Sequence, residues 1–413
     1  MTKRSFLFLQ GVASPFFSKL GQGLTESGHS VYKINFCGGE VAYWDGLPSW
    51  DFSDKTEALA GFIRDKLERY SIDCIVLFGD NREIHKVAIR EAEQKDVQVF
   101  VFEEGYIRPN WITLEQSGVN AHSSLPNDPD WYREIGPTLP RHGNGSTVGP
   151  SLRTRTLHDM RYHLSNLLYT RRFPNFRTHR PYKAHIEYAG WARRFPTLPF
   201  HERLANKTIK QLVTNKVPFF VFPLQLNADT QIREHSRFSG MEQAITTIVK
   251  SFAEHADRKD TLVVKNHPLD TGLIDYRSHL RSLIKKYAID GRVLYIDGGH
   301  LPTLLRHTKG TITINSTVGI SAIFHASPTI ALGDAIYNFS GLTYQGQLDN
   351  FWNDSQVPDK ELSALFRNTV IHLSQVNGGF YTQTGINMAL EACMERLQDK
   401  ASDNAIEQQL ATH

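Results

Sequence analysis

The chain has 413 residues, 40% of them hydrophobic and 22% charged, with 46 Lys and Arg against 43 Asp and Glu and a formal charge of +3. That length and balance exclude a small disulfide scaffold, a disordered chain and a coiled coil, and predict two domains or one large α/β unit. The even charge conceals a basic insert: Ser151 to Arg194 carries ten basic and two acidic residues, +8, so the remainder sums to −5.

Short apolar runs alternate with helical patterns over the first hundred residues, the signature of a parallel sheet with crossover helices. Ser5–Leu9 reads as a strand; Gln10 and Gly11 end its apolar run too early for a signal-peptide core. A helix over Ser14–Ser27 and a strand over Val31–Phe36 complete a βαβ unit. Helix Lys55–Tyr70, strand Cys74–Phe78, helix Glu83–Lys95 and strand Val97–Phe102 extend it. From about Ile107 to Asn215 the pattern degrades into Pro-, Arg- and His-rich sequence, read as an insert or connector. Alternation resumes with strand Pro218–Phe222, helix Met241–His255, strand Thr261–Lys265, helix Asp275–Tyr287, strand Val293–Asp297 and short helix Pro302–His307. Strand Gly310–Asn315, helix Val318–His325 and strand Thr329–Leu332 follow, then helices over Lys360–Ser374 and Gly385–Gln398.

The expected fold class is α/β, with two Rossmann-like halves, an Arg-rich insert and C-terminal helices. A glycosyltransferase B architecture fits that pattern, as do a single large sheet and a periplasmic-binding type of fold. Cys37, Cys74 and Cys393 show no zinc or disulfide spacing, which fits a reducing compartment. With no run of about 18 apolar residues, the expectation is a soluble, cytoplasmic chain, and with no Cys/His ligand spacing no metal site is expected.

P-loop, dinucleotide-fingerprint, HExxH and GxSxG motifs are absent. What remains is polar residues at predicted strand ends, where open α/β sheets bind ligands. Val263-Val264-Lys265-Asn266-His267-Pro268 delivers Lys265 and His267 to a strand tip, with Pro268 holding His267 extended. Asn315-Ser316-Thr317 turns a strand into a helix, where hydroxyls and backbone N–H groups suit an anion or simply cap the helix. Phe102-Glu103-Glu104-Gly105-Tyr106-Ile107-Arg108 places two carboxylates at a strand end, Gly105 allowing a sharp turn and Arg108 holding a carboxylate or an acidic substrate. Gln225, Asp229 and Gln231 form a polar set after strand Pro218–Phe222, a cleft wall or an Asx-turn. Gln10 and Gly11 close the first strand, and Ser14 and Pro15 open a helix, with Gly11 open to close approach by a ligand.

Taken in order, Phe8-Leu-Gln-Gly-Val-Ala-Ser-Pro-Phe-Phe17, Phe102-Glu-Glu-Gly-Tyr-Ile-Arg108, Pro223-Leu-Gln-Leu-Asn-Ala-Asp-Thr-Gln231, Lys265-Asn-His-Pro268 and Asn315-Ser-Thr317 resemble the bacterial capsular polysaccharide KpsS/KpsC family of β-Kdo glycosyltransferases. One module of this length looks like the KpsS type. The resemblance implies transfer, with retention, of 3-deoxy-D-manno-oct-2-ulosonic acid (Kdo) from CMP-β-Kdo to a phosphatidylglycerol-type lipid, starting a capsule linker that KpsC-type proteins extend. It implies that His267-Pro268 and Ser316-Thr317 hold the CMP phosphate and that no cofactor is needed. A helix N-terminus with His267 and Lys265 would supply charge to the leaving phosphate without a divalent ion. Glu104 is the expected nucleophile, with Glu103 or Asp229 as alternatives, since the family's pattern tends to carry Asp at this spot. The implied domains are an acceptor domain over 1–200 with the insert at about 135–200, a nucleotide-sugar domain over 201–380, and a helical tail over 381–413.

A lipid acceptor also gives the basic segment a use. Arg171, Arg172, Arg177 and Arg180, with Tyr162, Leu164, Leu167, Leu168, Tyr169, Phe173, Phe176 and Trp191, would rest on the anionic inner face of the cytoplasmic membrane. Nucleic acid is not an expected partner; KpsC-type transferases and the export machinery are. Two other readings stand beside this one: a transferase using another nucleotide sugar such as CMP-sialic acid, and a non-catalytic export and assembly adaptor.

Overall fold

The computed structural model describes residues 3–178, 184–226, 232 and 234–398. β1 (Ser5–Phe8) leads through α1 (Phe16–Glu26) to β2 (Ser30–Asn35), the single-turn α2 (Gly38–Val41) and β3 (Ser49–Asp51). Next come α3 (Leu59–Arg69), β4 (Cys74–Phe78), α4 (Glu83–Glu93), β5 (Gln98–Glu104) and β6 (Trp111–Gln116). The stretch expected to be irregular is largely helical: α5 (Pro129–Ile135), α6 (Leu152–Leu168), α7 (Ala184–Arg194) and α8 (Leu198–Thr214). β7 (Phe219–Pro223), α9 (Met241–His255), β8 (Thr261–Lys265), α10 (Tyr276–Tyr287) and β9 (Val293–Ile296) resume the alternation. It continues through α11 (Leu301–His307), β10 (Gly310–Thr313), α12 (Val318–Phe324) and β11 (Thr329–Ala331). The chain closes with α13 (Leu348–Asp354), α14 (Lys360–Ser374), β12 (Gln375–Asn377) and α15 (Gln383–Gln398).

These elements form two compact α/β units. The first gathers the chain up to Pro126, the stretch that begins at Pro140, and the stretch that begins at Val370; the second holds Asn127–Leu139 and the chain up to Thr369. The division is therefore interleaved rather than falling at residue 200. Two contacts explain it: β12 pairs antiparallel with β6, and α15 packs its Ile386, Ala389, Cys393 and Leu397 with α1 in one core.

Among the described residues, the first unit has a seven-stranded sheet in the order β12-β6-β5-β4-β1-β2-β3, parallel from β5 to β3, and the second a five-stranded, wholly parallel sheet in the order β11-β10-β7-β8-β9. Strands covered on both faces need continuous apolar runs, and β1, β4, β7 and β8 have them. Phe6 and Phe8 face α1 and α15, while Leu7 faces α3 and α4, the period-two alternation of a pleated strand. In the second unit Phe220 and Phe222 pack with α9, and Phe219 and Val221 with α8 and α11. Each such fully buried side chain contributes about 1.5–3 kcal/mol of transfer free energy.

Both sheets reverse direction of growth once, and ligands of open α/β sheets bind at the carboxyl ends of strands flanking that point. In the first unit the point lies between β1 and β4; in the second, between β7 and β10.

β6 also brings in a buried acid. Tyr106 Oη donates to Glu115 Oε1 at 2.6 Å, and Ser123 Oγ donates to Oε2. Burial, with Asp80 adding repulsion, raises the Glu115 carboxyl from 4.5 to about 7, against the pull of those hydrogen bonds and of Arg396. The folded pKa lies above the unfolded one, so the fold favours the protonated form. Its stabilisation is complete below the ordinary 4.5 and is lost as pH rises to about 7. Melting temperatures measured across that window should fall for the native sequence and stay flatter for Glu115→Gln; parallel curves would contradict this assignment.

Candidate functional site

In the first unit, the chain leaving β1 runs along a buried ion pair. Lys33 Nζ lies 3.2 Å from Glu40 Oε1 and donates to the Leu9 carbonyl at 2.8 Å. Glu40 Oε1 also accepts the Gly11 N–H at 3.0 Å. Gln10 Nε2 donates to Tyr162 Oη at 3.0 Å, and that hydroxyl is 3.0 Å from Cys37 Sγ. Burial and the Glu40 charge push the Cys37 thiol up to about 12, so it is a neutral packing group rather than a nucleophile. A recess lined by Gly11, Val12, Ser14, Lys33, Glu40, Tyr43 and Tyr162 opens beside these groups. Ser14 Oγ accepts the Phe16 N–H at 3.3 Å, a local turn just ahead of α1, whose first residue is Phe16 rather than one beside Ser14. Arg82 NH1 approaches the Gly11 carbonyl at 3.5 Å. Burial lowers the Arg82 pKa, while Tyr162, Glu40, Glu103 and Cys37 act to raise it.

Glu103 and Glu104 end β5 as expected, both partly buried. A Cβ on Gly105 would stand 2.0 Å from the Trp111 carbonyl oxygen, so only glycine permits β6 to return this closely. The partner expected for Glu104 is not the one found. Arg108 is exposed and its Nε donates to the Gly105 carbonyl at 3.2 Å. Instead Arg155 NH1 donates to Glu104 Oε1 at 3.0 Å and Tyr381 Oη donates to the same oxygen at 3.3 Å. The Arg155 guanidinium lies 4.7 Å from the centroid of the Tyr381 ring, a cation–π contact. Burial and then the Glu104 charge push the Tyr381 phenol upward, so it stays a donor. Glu103 Oε1 accepts the Glu104 N–H at 2.8 Å.

Arg155 belongs to α6, which docks on α2 through glycines. A Cβ on Gly38 would come within 2.4 Å of the Ser165 carbonyl oxygen, and one on Gly39 within 2.4 Å of the Tyr162 ring. The inner side of α6 is polar: Asn166 Oδ1 accepts the Gly39 N–H at 2.6 Å, and His158 Nδ1 lies 2.8 Å from Tyr43 Oη. The basic segment is thus partly spent inside the protein. Arg172, expected on the membrane, pairs with Asp51, and Phe173 is buried while Phe176 packs on the core. Arg171 and Arg177 are exposed; Arg180 lies outside the described residues.

In the second unit, Lys265 ends β8, and Gln225 and Asn315 follow the carboxyl ends of β7 and β10, the two strands that flank the reversal point. Gln225 and Asn315 bridge it with two bonds, Nε2 to Oδ1 at 2.9 Å and the Asn315 N–H to Gln225 Oε1 at 3.3 Å. Lys265 is 5% exposed, its Nζ 3.4 Å from the Asn266 carbonyl. Burial lowers its pKa, Arg194 adding to the effect and Glu202 and Asp297 opposing it. His267 Nδ1 accepts the Leu269 N–H at 3.0 Å, which assigns the proton of the neutral ring to Nε2. Pro268 is exposed beside it. The Ser316 Oγ accepts the Val318 N–H at 3.2 Å, the capping role, and Thr317 is the residue preceding α12. Asp229 and Gln231 lie outside the described residues.

Sequence reasoning missed the frame beneath this edge. Arg194, counted with the basic insert, is 8% exposed and pairs with Asp270 Oδ2 at 3.2 Å and with Asp297. Asn266 Nδ2 donates to both acids, at 3.1 and 3.3 Å, while its Oδ1 accepts the His267 N–H at 2.9 Å. The network holds the His267 turn, and the asparagine between Lys265 and His267 was the one available signal.

Comparison with known proteins gives the chain a family context. The capsule polysaccharide biosynthesis protein family matches residues 73–381. The chain is 36% identical to the Escherichia coli "Capsule polysaccharide export protein KpsS" over 92% of its length and 98% of that protein. It is 34% identical to the "Capsule polysaccharide modification protein LipB" of Neisseria meningitidis, covering 92% of each. A solved structure, the Thermosulfurimonas dismutans KpsC β-Kdo 2,7 transferase, aligns at 14% identity over 89% of this chain and 97% of that one, with a TM-score of 0.43.

Proposed function

The chain belongs to the capsule polysaccharide biosynthesis protein family, and on that premise we propose that it is a glycosyltransferase moving Kdo from CMP-β-Kdo, with retention, onto a phosphatidylglycerol-type lipid. The observation that carries the reading is the edge of the second unit, where Lys265, His267, Gln225 and Asn315 gather donors beside the sheet's reversal point. In this reading His267 Nε2–H and the Lys265 ammonium stabilise the charge that grows on the CMP phosphate as the C2–O bond of the sugar breaks. Ser316 and Thr317 add contacts to the nucleotide.

The first unit supplies the carboxylate chemistry. Glu104 would attack the anomeric carbon, forming a glycosyl ester as CMP departs with the bonding electrons. The acceptor hydroxyl then attacks the same carbon, Glu104 leaves as a carboxylate and the hydroxyl proton passes to solvent, so two inversions give retention. Arg155 and Tyr381 orient the attacking carboxylate through Oε1. The recess lined by Gly11 and Ser14, next to Gln10, is the proposed acceptor side, and Glu103 and Arg108, which lie close to Glu104 in sequence, are assigned to the acceptor as well. We place the protein on the inner face of the cytoplasmic membrane, working with KpsC-type transferases. Among the described residues no helix is long and apolar enough to cross a membrane.

The names of the relatives carry both export and modification, so a non-catalytic adaptor is the competing reading. Nucleotide binding separates them. CMP should raise the melting temperature more than UDP or GDP, since a ligand at 100 times its Kd adds about 2.7 kcal/mol to apparent stability. Equal or absent shifts with all three would contradict the proposed donor.

A further inference from the structure

The outer face of α6 is the inverse of its inner one. Leu157, Met160, Leu164, Leu167 and Leu168 recur at helical spacing on a single side, and all are exposed, Leu164 at 59% and Leu168 at 72%. The opposite side carries Arg155, His158, Tyr162 and Asn166, each hydrogen bonded to the body of the first unit. A helix that docks by its polar side, with none of its residues fully buried, and presents its leucines is not explained by the stability of this unit. Isolated exposed leucines are ordinary; four leucines and a methionine in a stripe on a 17-residue helix are a surface built for contact.

Charge identifies the occupant. Arg153 and Arg171 are exposed near the stripe, Arg161 is exposed beside it with its guanidinium on the Ala42 carbonyl at 2.9 Å, and Asp159 is the one acidic residue between Ser151 and Arg172. Asp159 lies 3.7 Å from His163 Nε2. Leucines rimmed by arginines with no outward carboxylate match the interface of an anionic bilayer, where an amphipathic helix lies in the plane with its apolar side among the acyl chains. Each basic residue near such a surface strengthens partitioning about fivefold. We propose that the Leu157–Leu168 face of α6 inserts into anionic lipid. The inference rests on the lipid acceptor proposed above and deepens it: one helix would hold the protein to the bilayer and, from its other side, hold Glu104 through Arg155 and Gln10 through Tyr162.

The test is flotation of the full chain with vesicles of phosphatidylcholine alone or mixed with phosphatidylglycerol. The native protein should float with the mixed vesicles, less so at high salt, and stay behind with phosphatidylcholine. Leu164→Asp with Leu168→Asp should weaken that binding at least about tenfold at an unchanged melting temperature. Arg153→Glu with Arg171→Glu should erase the preference for phosphatidylglycerol. Flotation of the leucine variant like the native chain would overturn the proposal, as would a native chain that ignores anionic vesicles or buries this face by self-association. A soluble short-chain acceptor separates the two readings. The leucine variant should keep activity on it and lose activity on vesicle-borne acceptor. Anionic vesicle binding through this face in a protein that transfers no sugar would support the docking face and refute the transferase.

Discussion

Glu104→Gln is expected to remove Kdo transfer almost entirely, by at least about 10³ in kcat, the scale of losing a group that acts covalently. The change is nearly isosteric. Arg155 and Tyr381 can still donate to the remaining oxygen, at the positions now 3.0 and 3.3 Å away, so the melting temperature should stay close to that of the native chain. What is lost is the negative charge that attacks the sugar. Glu103→Gln and Glu104→Gln compared under single turnover identify the nucleophile: a trapped glycosyl ester on Glu104 supports the assignment, and full activity in Glu104→Gln ends it. Arg155→Lys should cost less, because a lysine keeps the charge but not the planar fork or the contact with the Tyr381 ring.

His267→Ala is expected to lower turnover on the order of 10²–10³, the usual cost of removing one donor aimed at developing charge. Because that interaction strengthens in the transition state, kcat and kcat/KM should fall together. The side chain also accepts the Leu269 N–H, so truncation alone would mix a structural effect with a chemical one. His267→Asn resolves this. Its side-chain oxygen can accept the same N–H in an Asx-turn, while its amide cannot reach where the imidazole Nε2 reaches. If Asn restored the rate, the turn rather than the donor would be what matters.

Much of this architecture is legible in the sequence where a strand is covered on both faces. β1, β4, β7 and β8 announce themselves as unbroken apolar runs, and the polar residues that end them mark the site. The elements that were missed lack that signal. β3 is three residues at a sheet edge, β12 is Gln-Val-Asn, and β6 hides behind the tight turn at Gly105 in a segment read as connector. α6 defeats pattern reading for a different reason: its leucines mark the outer face, whereas patterning assumes that they mark the core. The arginine total was sound as arithmetic but misleading as geography, since Arg155, Arg172 and Arg194 each pair with a carboxylate. Glu104 was reachable from its strand end, yet its partners lie 51 and 277 residues away, a distance no motif spans.

The most direct test of the central claim is mass spectrometry of the lipid products after the purified chain is incubated with CMP-Kdo and a short-chain phosphatidylglycerol. The account predicts a mass gain of one Kdo residue on the lipid, matched by release of CMP, and a β linkage in the isolated product. An acceptor left unmodified by a folded protein with fresh donor would contradict it.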